Sequence, residues 1–250
     1  MKNIIFKLSA FYAFGACFMA VVPSASAFTF SPNNDSVTVT ATDLNQSFEI
    51  NFDGNVKTTN VEGLSSKATF TFLGFTTVGS NTEANFDISL SNTSSNGITS
   101  RTSALGFNVD KTLLGVGNPG GSGNTRVSGL FDNDREGSFP NQFGNVDVCF
   151  TDGNTCQGGS NGGVSTGMTA TFSPVLAFTG NVTSFTLSNL GVRYQSITGT
   201  SLGTSGTGRG FYVAPTPPSK KVSEPTTAVA IALFAVSASV VKKKKQLLPA

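Results

Sequence analysis

KATFTFLGF (67–75), followed closely by ANFDISLS (84–91), sets Phe, Ile and Leu at every second position with Thr, Ser, Asn or Asp between them. A period of two marks a strand with one buried face, because successive side chains of an extended chain point to opposite sides. Outward from this pair the same alternation recurs in SVTVTAT (36–42), QSFEINF (46–52), ALGFNVD (104–110), NVDVCF (145–150), MTATF (168–172), TSFTLS (183–188) and GVRYQSI (191–197). None carries the i, i+3, i+4 apolar stripe of a helix. Short strands about ten residues apart, punctuated by Gly, Asn and Asp, predict an all-β body: one antiparallel β-sandwich of jelly-roll type with about 8–11 strands. Gly-rich segments at 115–129, 157–167 and 199–210 read as its loops, and most of the 22 phenylalanines as its core.

Composition narrows the chemistry. Charged residues make up 12% of the 250-residue chain, against roughly 25% in an ordinary soluble domain. There is no histidine, which removes the Ser-His-Asp triad, the Cys-His dyad, the His-ligated zinc site and the HExxH helix. Three cysteines are too few for a four-thiolate metal site. Gly115 to Gly120 spell G-x-G-x-x-G, but Pro119 interrupts them and no helix follows, so they read as loop. Gly158 to Gly162 spell G-x-S-x-G, and Ser160 has no histidine to activate it.

Both ends read as addresses. Lys2 and Lys7, an apolar run from Leu8 to Val22, and the small residues up to Ala27 follow the order of a secretory signal peptide, 1–27, with cleavage expected after Ala27. The body then spans 28–213 and a Pro-rich linker 214–221. Beyond it, in 222–250, a polar motif precedes an apolar segment, 226–241, and the basic cluster Lys242, Lys243, Lys244 and Lys245. As a helix that segment reaches about 24 Å, short for a permanent span and sufficient for a transient sorting signal. Lysines stay on the cytoplasmic side, so the body would be held across the membrane from them. Six of the sixteen basic residues lie in the two ends; residues 28–222 then hold ten basic against thirteen acidic side chains, a net charge of about −3. A nucleic-acid partner loses its support with that sign.

The C-terminal segment resembles a PEP-CTERM sorting signal. Glu224, Pro225, Thr226 and Thr227 match the motif's E-P-T-T, and Ser223 stands where its first proline falls. The resemblance implies export from a Gram-negative, exopolysaccharide-producing cell and processing near the motif by a membrane-embedded protease of the exosortase type, which releases the body to the cell surface or extracellular matrix.

The block FDNDREGSFPNQFGNVDVCFTDGNTCQGGSNGG (131–163) carries what site chemistry there is. Asp152-Gly153 is a favoured two-residue type I′ hairpin turn, and folding about it sets Cys149 opposite Cys156. Directly opposed residues fall within disulfide reach, and export supplies the oxidising compartment, so a Cys149–Cys156 bridge is expected. Asp132, Asp134 and Glu136 occupy positions 1, 3 and 5 of a calcium loop, but position 12 falls on Phe143, which excludes an EF-hand. Calcium in a β-loop stays open there beside a solvated acidic turn; no other cofactor is expected. Together with GVRYQSI, this block also resembles the cistern family of PEP-CTERM proteins, whose members carry a close cysteine pair in similar Gly-rich surroundings. That resemblance adds an address and a disulfide but no mechanism.

The expected function is that of an exported, non-catalytic surface or matrix protein associated with exopolysaccharide. A lectin-like carbohydrate-binding module is the alternative, followed by a carboxylate-based glycosidase.

Overall fold

The computed structural model describes residues 28–159 and 161–212. The signal-peptide, linker and sorting-signal assignments, and Ser160, lie outside the described residues. Within them the chain forms the strands β1 Thr29–Phe30, β2 Ser36–Thr40, β3 Ser47–Phe52, β4 Asn55–Val56, β5 Thr59–Asn60, β6 Ser66–Val78, β7 Asn81–Asn92 and β8 Thr99–Val109. There follow β9 Arg126–Gly129, β10 Asn133–Phe139, β11 Gly144–Thr151, β12 Val164–Ser165, β13 Thr169–Phe178, β14 Ser184–Thr198 and β15 Gly206–Tyr212. The only helix among the described residues is a single 3-10 turn, Ala41–Asp43.

All of these strands pair antiparallel. A front sheet runs β10-β11-β8-β14-β15, and a back sheet runs β15-β3-β6-β7-β13-β9. β15 belongs to both: Gly206 to Arg209 pair with β14, and Gly210 to Tyr212 pair with β3. It makes the sandwich nearly a barrel. The crossing needs bare backbone, since a Cβ on Gly208 would stand 2.1 Å from the Asp53 carbonyl oxygen.

Alternation decides which side chains meet between the sheets. Phe48 and Phe70 of the back sheet are buried, as are Phe107 and Phe150 of the front. Their rings connect the two layers, with centroids 4.9 Å apart for Phe48–Phe70, 6.4 Å for Phe70–Phe107, 5.9 Å for Phe107–Phe150 and 5.7 Å for Phe150–Phe172. At the other end of the sandwich Phe185 gathers Phe75, Phe86 and Phe178. Aromatic pairs in these orientations add to the stabilisation from their buried area.

Three local readings change in the fold. TSFTLS and GVRYQSI are one strand, β14, because a bulge between Ser188 and Gly191 absorbs the break in alternation. The segments 115–129 and 199–210, expected as loops, contain β9 and most of β15. Glycine has no side chain to alternate, so neither segment shows a period. Asp152-Gly153 is not a type I′ turn, for neither residue has the positive φ that it requires. Instead the Asp152 carboxylate accepts the backbone N–H groups of Asp132 and Gly163, and Gly153 N donates to Thr151 Oγ1 at 3.0 Å. An aspartate that bonds nearby backbone organises an irregular loop in place of a hairpin.

Candidate functional site

Cys149 and Cys156 are joined, with Sγ–Sγ 2.05 Å and Cα–Cα 5.8 Å. They reach one another by a different route from the expected hairpin. Cys149 lies inside β11, flanked by Arg135 of β10 and Gly106 of β8, while Cys156 is in the loop that folds back over the outer face of the front sheet. There the disulfide closes a second, small core with Ala104, Phe139, Phe143 and Val146, all buried.

That outer core rests on two glycines. Gly106 and Gly191 oppose one another across β8 and β14, so Cys149, Gly106, Gly191 and Arg209 make one row across four strands. A Cβ on Gly191 would lie 2.1 Å from Phe143 Cζ, and one on Gly106 would lie 2.9 Å from Cys149 Cβ. Bare backbone leaves room for the tips of the Phe143 and Phe139 rings against the sheet. Replacing both cysteines with serine is expected to lower stability by about 2–3 kcal/mol from chain entropy alone, because the closed loop is short, with a sequence separation of 7. Urea unfolding with and without the bridge checks this; equal midpoints would refute it.

Beyond the disulfide, two arginines hold the loop down. Arg193 is buried and donates from Nε to Gln157 O at 3.1 Å, and from Nη1 to Tyr194 O at 2.9 Å and Gly206 O at 2.6 Å. Burial lowers its guanidinium pKa to about 10, so it remains charged at neutral pH. Arg101 donates to Gly159 O at 3.0 Å, to Gln195 Oε1 at 2.8 Å and to Gly162 O.

The three acids proposed for calcium do not come together. Asp134 and Glu136 lie in β10, an extended strand in which Asp134 is buried and Glu136 exposed. Glu136 lines one cleft, and Asp132 and Asp134 line another. Asp134 is buried and accepts Gly117 N at 2.6 Å; its burial raises the carboxyl pKa against the pull of that hydrogen bond. Burial likewise raises Asp152. Among the described residues no three His, Cys, Asp or Glu side chains are placed to hold a metal ion. Asp134 thus serves the fold as a hydrogen-bond acceptor, while Asp132 and Glu136 stand as cleft walls.

The larger cleft, about 1000 Å³, is walled by Asp110, Lys111, Asn118, Glu136, Asn145 and Asp147 among others. Two of its carboxylates already serve the fold. Asp147 Oδ2 accepts Val109 N at 2.8 Å; Asp110 Oδ1 accepts Thr186 N at 2.7 Å, and its Oδ2 meets Lys111 Nζ at 3.1 Å. On the same loop side Glu83 forms a two-pronged pair with Arg126, at 2.7 and 2.9 Å, and accepts Gly123 N. The Arg126 guanidinium holds the Glu83 carboxyl below the ordinary glutamate range.

Comparison with known protein families, with curated proteins and with solved structures finds no match. Fold and site define a class by themselves: a disulfide-stapled antiparallel β-sandwich whose carboxylates and arginines are largely engaged in holding its own loops.

Proposed function

We propose that the protein is an exported, non-catalytic component of the cell surface or extracellular matrix, processed at its C-terminus by an exosortase-type protease. One observation carries the reading: the outer face of the back sheet is a lattice of mostly neutral hydroxyls. Its rows follow the strand register, with Glu49, Thr69, Ser89 and Thr171 in one, and Asn51, Lys67, Ser91 and Thr169 in the next. Hydroxyls bond sideways to one another, Ser47 with Thr71 at 2.9 Å and Ser91 with Thr169 at 2.7 Å. Such a face contacts hydrated, hydroxyl-rich polymer without the charge that would draw nucleic acid. The Cys149–Cys156 bridge suits an oxidising compartment. A lectin-like module is the second reading, favoured by the carboxamide-lined pocket beside Arg209.

The test uses protein recovered from its native cell surface. Its intact mass is expected to place the N-terminus at or near Phe28 and to lack Lys242 to Lys245, and the protein is expected to release no reducing sugar from the producer's polysaccharide. Retained lysines would mean a permanent tail anchor. Steady sugar release that disappears with one carboxylate would make the protein a glycosidase.

A further inference from the structure

We infer that the pocket between the Lys57-Thr58 and Asn141-Gln142 turns binds a sugar residue of a hydroxyl-rich polysaccharide. The inference rests on the carbohydrate-binding reading and assigns it a site. Both turns join antiparallel neighbours, β4 to β5 and β10 to β11. At each tip two consecutive non-glycine residues hold positive φ: 48° and 68° at Lys57 and Thr58, 58° and 61° at Asn141 and Gln142. Phe143 N closes the second turn on Pro140 O at 3.2 Å. This is the type I′ signature, for which the preferred pairs are Asn-Gly, Asp-Gly or Gly-Gly. Asparagine tolerates the left-handed region, but Thr58 is β-branched and Gln142 is long, and both occupy the place where glycine is favoured.

The two side chains that break this preference line the same pocket. It measures about 310 Å³, and its other walls are Asn55, Asn141, Phe143, Thr207 and Arg209. The turns are far apart in sequence, and β15 brings them together: Thr207 pairs with Asn55, while the Arg209 guanidinium lies 4.5 Å from the Phe143 ring centre. Arg209 also donates to Phe143 O at 3.0 Å, to Gln142 O at 3.4 Å and to Asn189 Oδ1 at 3.1 Å, which fixes that wall. Unfavourable backbone conformations persist only where surrounding structure enforces them, and they gather at ligand sites.

The lining selects the chemistry. Asn55, Asn141 and Gln142 offer carboxamides, and Thr58 and Thr207 offer hydroxyls; each such group both donates and accepts. Sugar hydroxyls do the same. A phosphate would call for donors alone, and no carboxylate lines the pocket to attract a cation. Thr58 Oγ1 donates to Lys57 O, which leaves its lone pairs to accept. Asn141 Nδ2 is enclosed and has no partner among the described residues, which is costly for a donor at the pocket wall. The volume falls at the small end of ligand pockets, suited to one ring with its neighbours outside.

The test takes the full chain and its Thr58→Gly and Gln142→Gly variants to an array of neutral and uronate oligosaccharides, together with the producer's extracted polysaccharide. Glycine is the residue each turn favours, so the variants are expected to keep or raise Tm, by about 2–4 °C, while binding weakens at least ten-fold. Asn55→Ala, in a regular strand, repeats the test without altering either turn. Variants that bind like the parent would overturn this site and leave the carbohydrate reading standing. A parent chain that binds neither array nor polysaccharide would overturn both.

Discussion

Replacing Arg193 with methionine is expected to lower the unfolding free energy by about 2–4 kcal/mol. Methionine matches much of the side chain's apolar length, so the loss falls on hydrogen bonding. The carbonyls of Tyr194 and Gly206 accept from this guanidinium in a buried place, and that of Gln157, which Gln195 Nε2 also reaches, accepts in a half-buried one. Removal leaves the two buried carbonyls without that donor, and a buried acceptor that loses its partner costs more than the bond itself was worth, about 1–3 kcal/mol each. Relief of the buried charge returns part of this, which sets the lower figure. Arg193→Lys keeps the charge and loses the planar fork, so it should recover less than half. Urea unfolding measures both variants. A methionine variant within about 0.5 kcal/mol of the parent, the range of an ordinary surface change, would show that loop 152–163 holds without Arg193.

Phe107→Ala should cost about 3–5 kcal/mol, the range for removing a buried aromatic ring from a packed core. Phe107 is 1% exposed, and its ring lies between Phe70 of the back sheet and Phe150 of the front. The void would open between the layers, where neither sheet can close it without losing its own pairing. Tm should fall by on the order of 10 °C. Phe107→Leu, which fills most of the volume, should cost under about 1.5 kcal/mol. Equal losses for alanine and leucine would place the ring's contribution elsewhere than in packing.

Residues of opposite kinds account for what could and could not be read beforehand. β3, β6 and β7 announced themselves because Phe, Ile and Leu alternate there with hydroxyls, and one sheet face is dry while the other is wet. β15, as GTGRGFY, carried no such signal, although it joins the two sheets. Its glycines are required by backbone approaching within van der Waals distance, which is a property of the neighbours. Asp132, Asp134 and Glu136 looked like ligands by spacing, yet among the described residues no three carboxylates gather to hold an ion. Thr58 and Gln142 gave no warning at all, since nothing in Lys-Thr or Asn-Gln marks a type I′ turn.

By itself the sequence determined the all-β class, the inner and outer faces of the long strands, and a cysteine pair close enough in the chain to bond. These follow from local periodicity and short separation, which act along the chain. The tertiary structure alone decided that β15 would bridge the sheets, that Arg193 would be buried against three carbonyls, that Phe143 would cover Gly191, and that two distant turns would share one pocket. Each depends on a partner brought near by the closure of the sandwich, and no residue carries the position of that partner in its own neighbourhood.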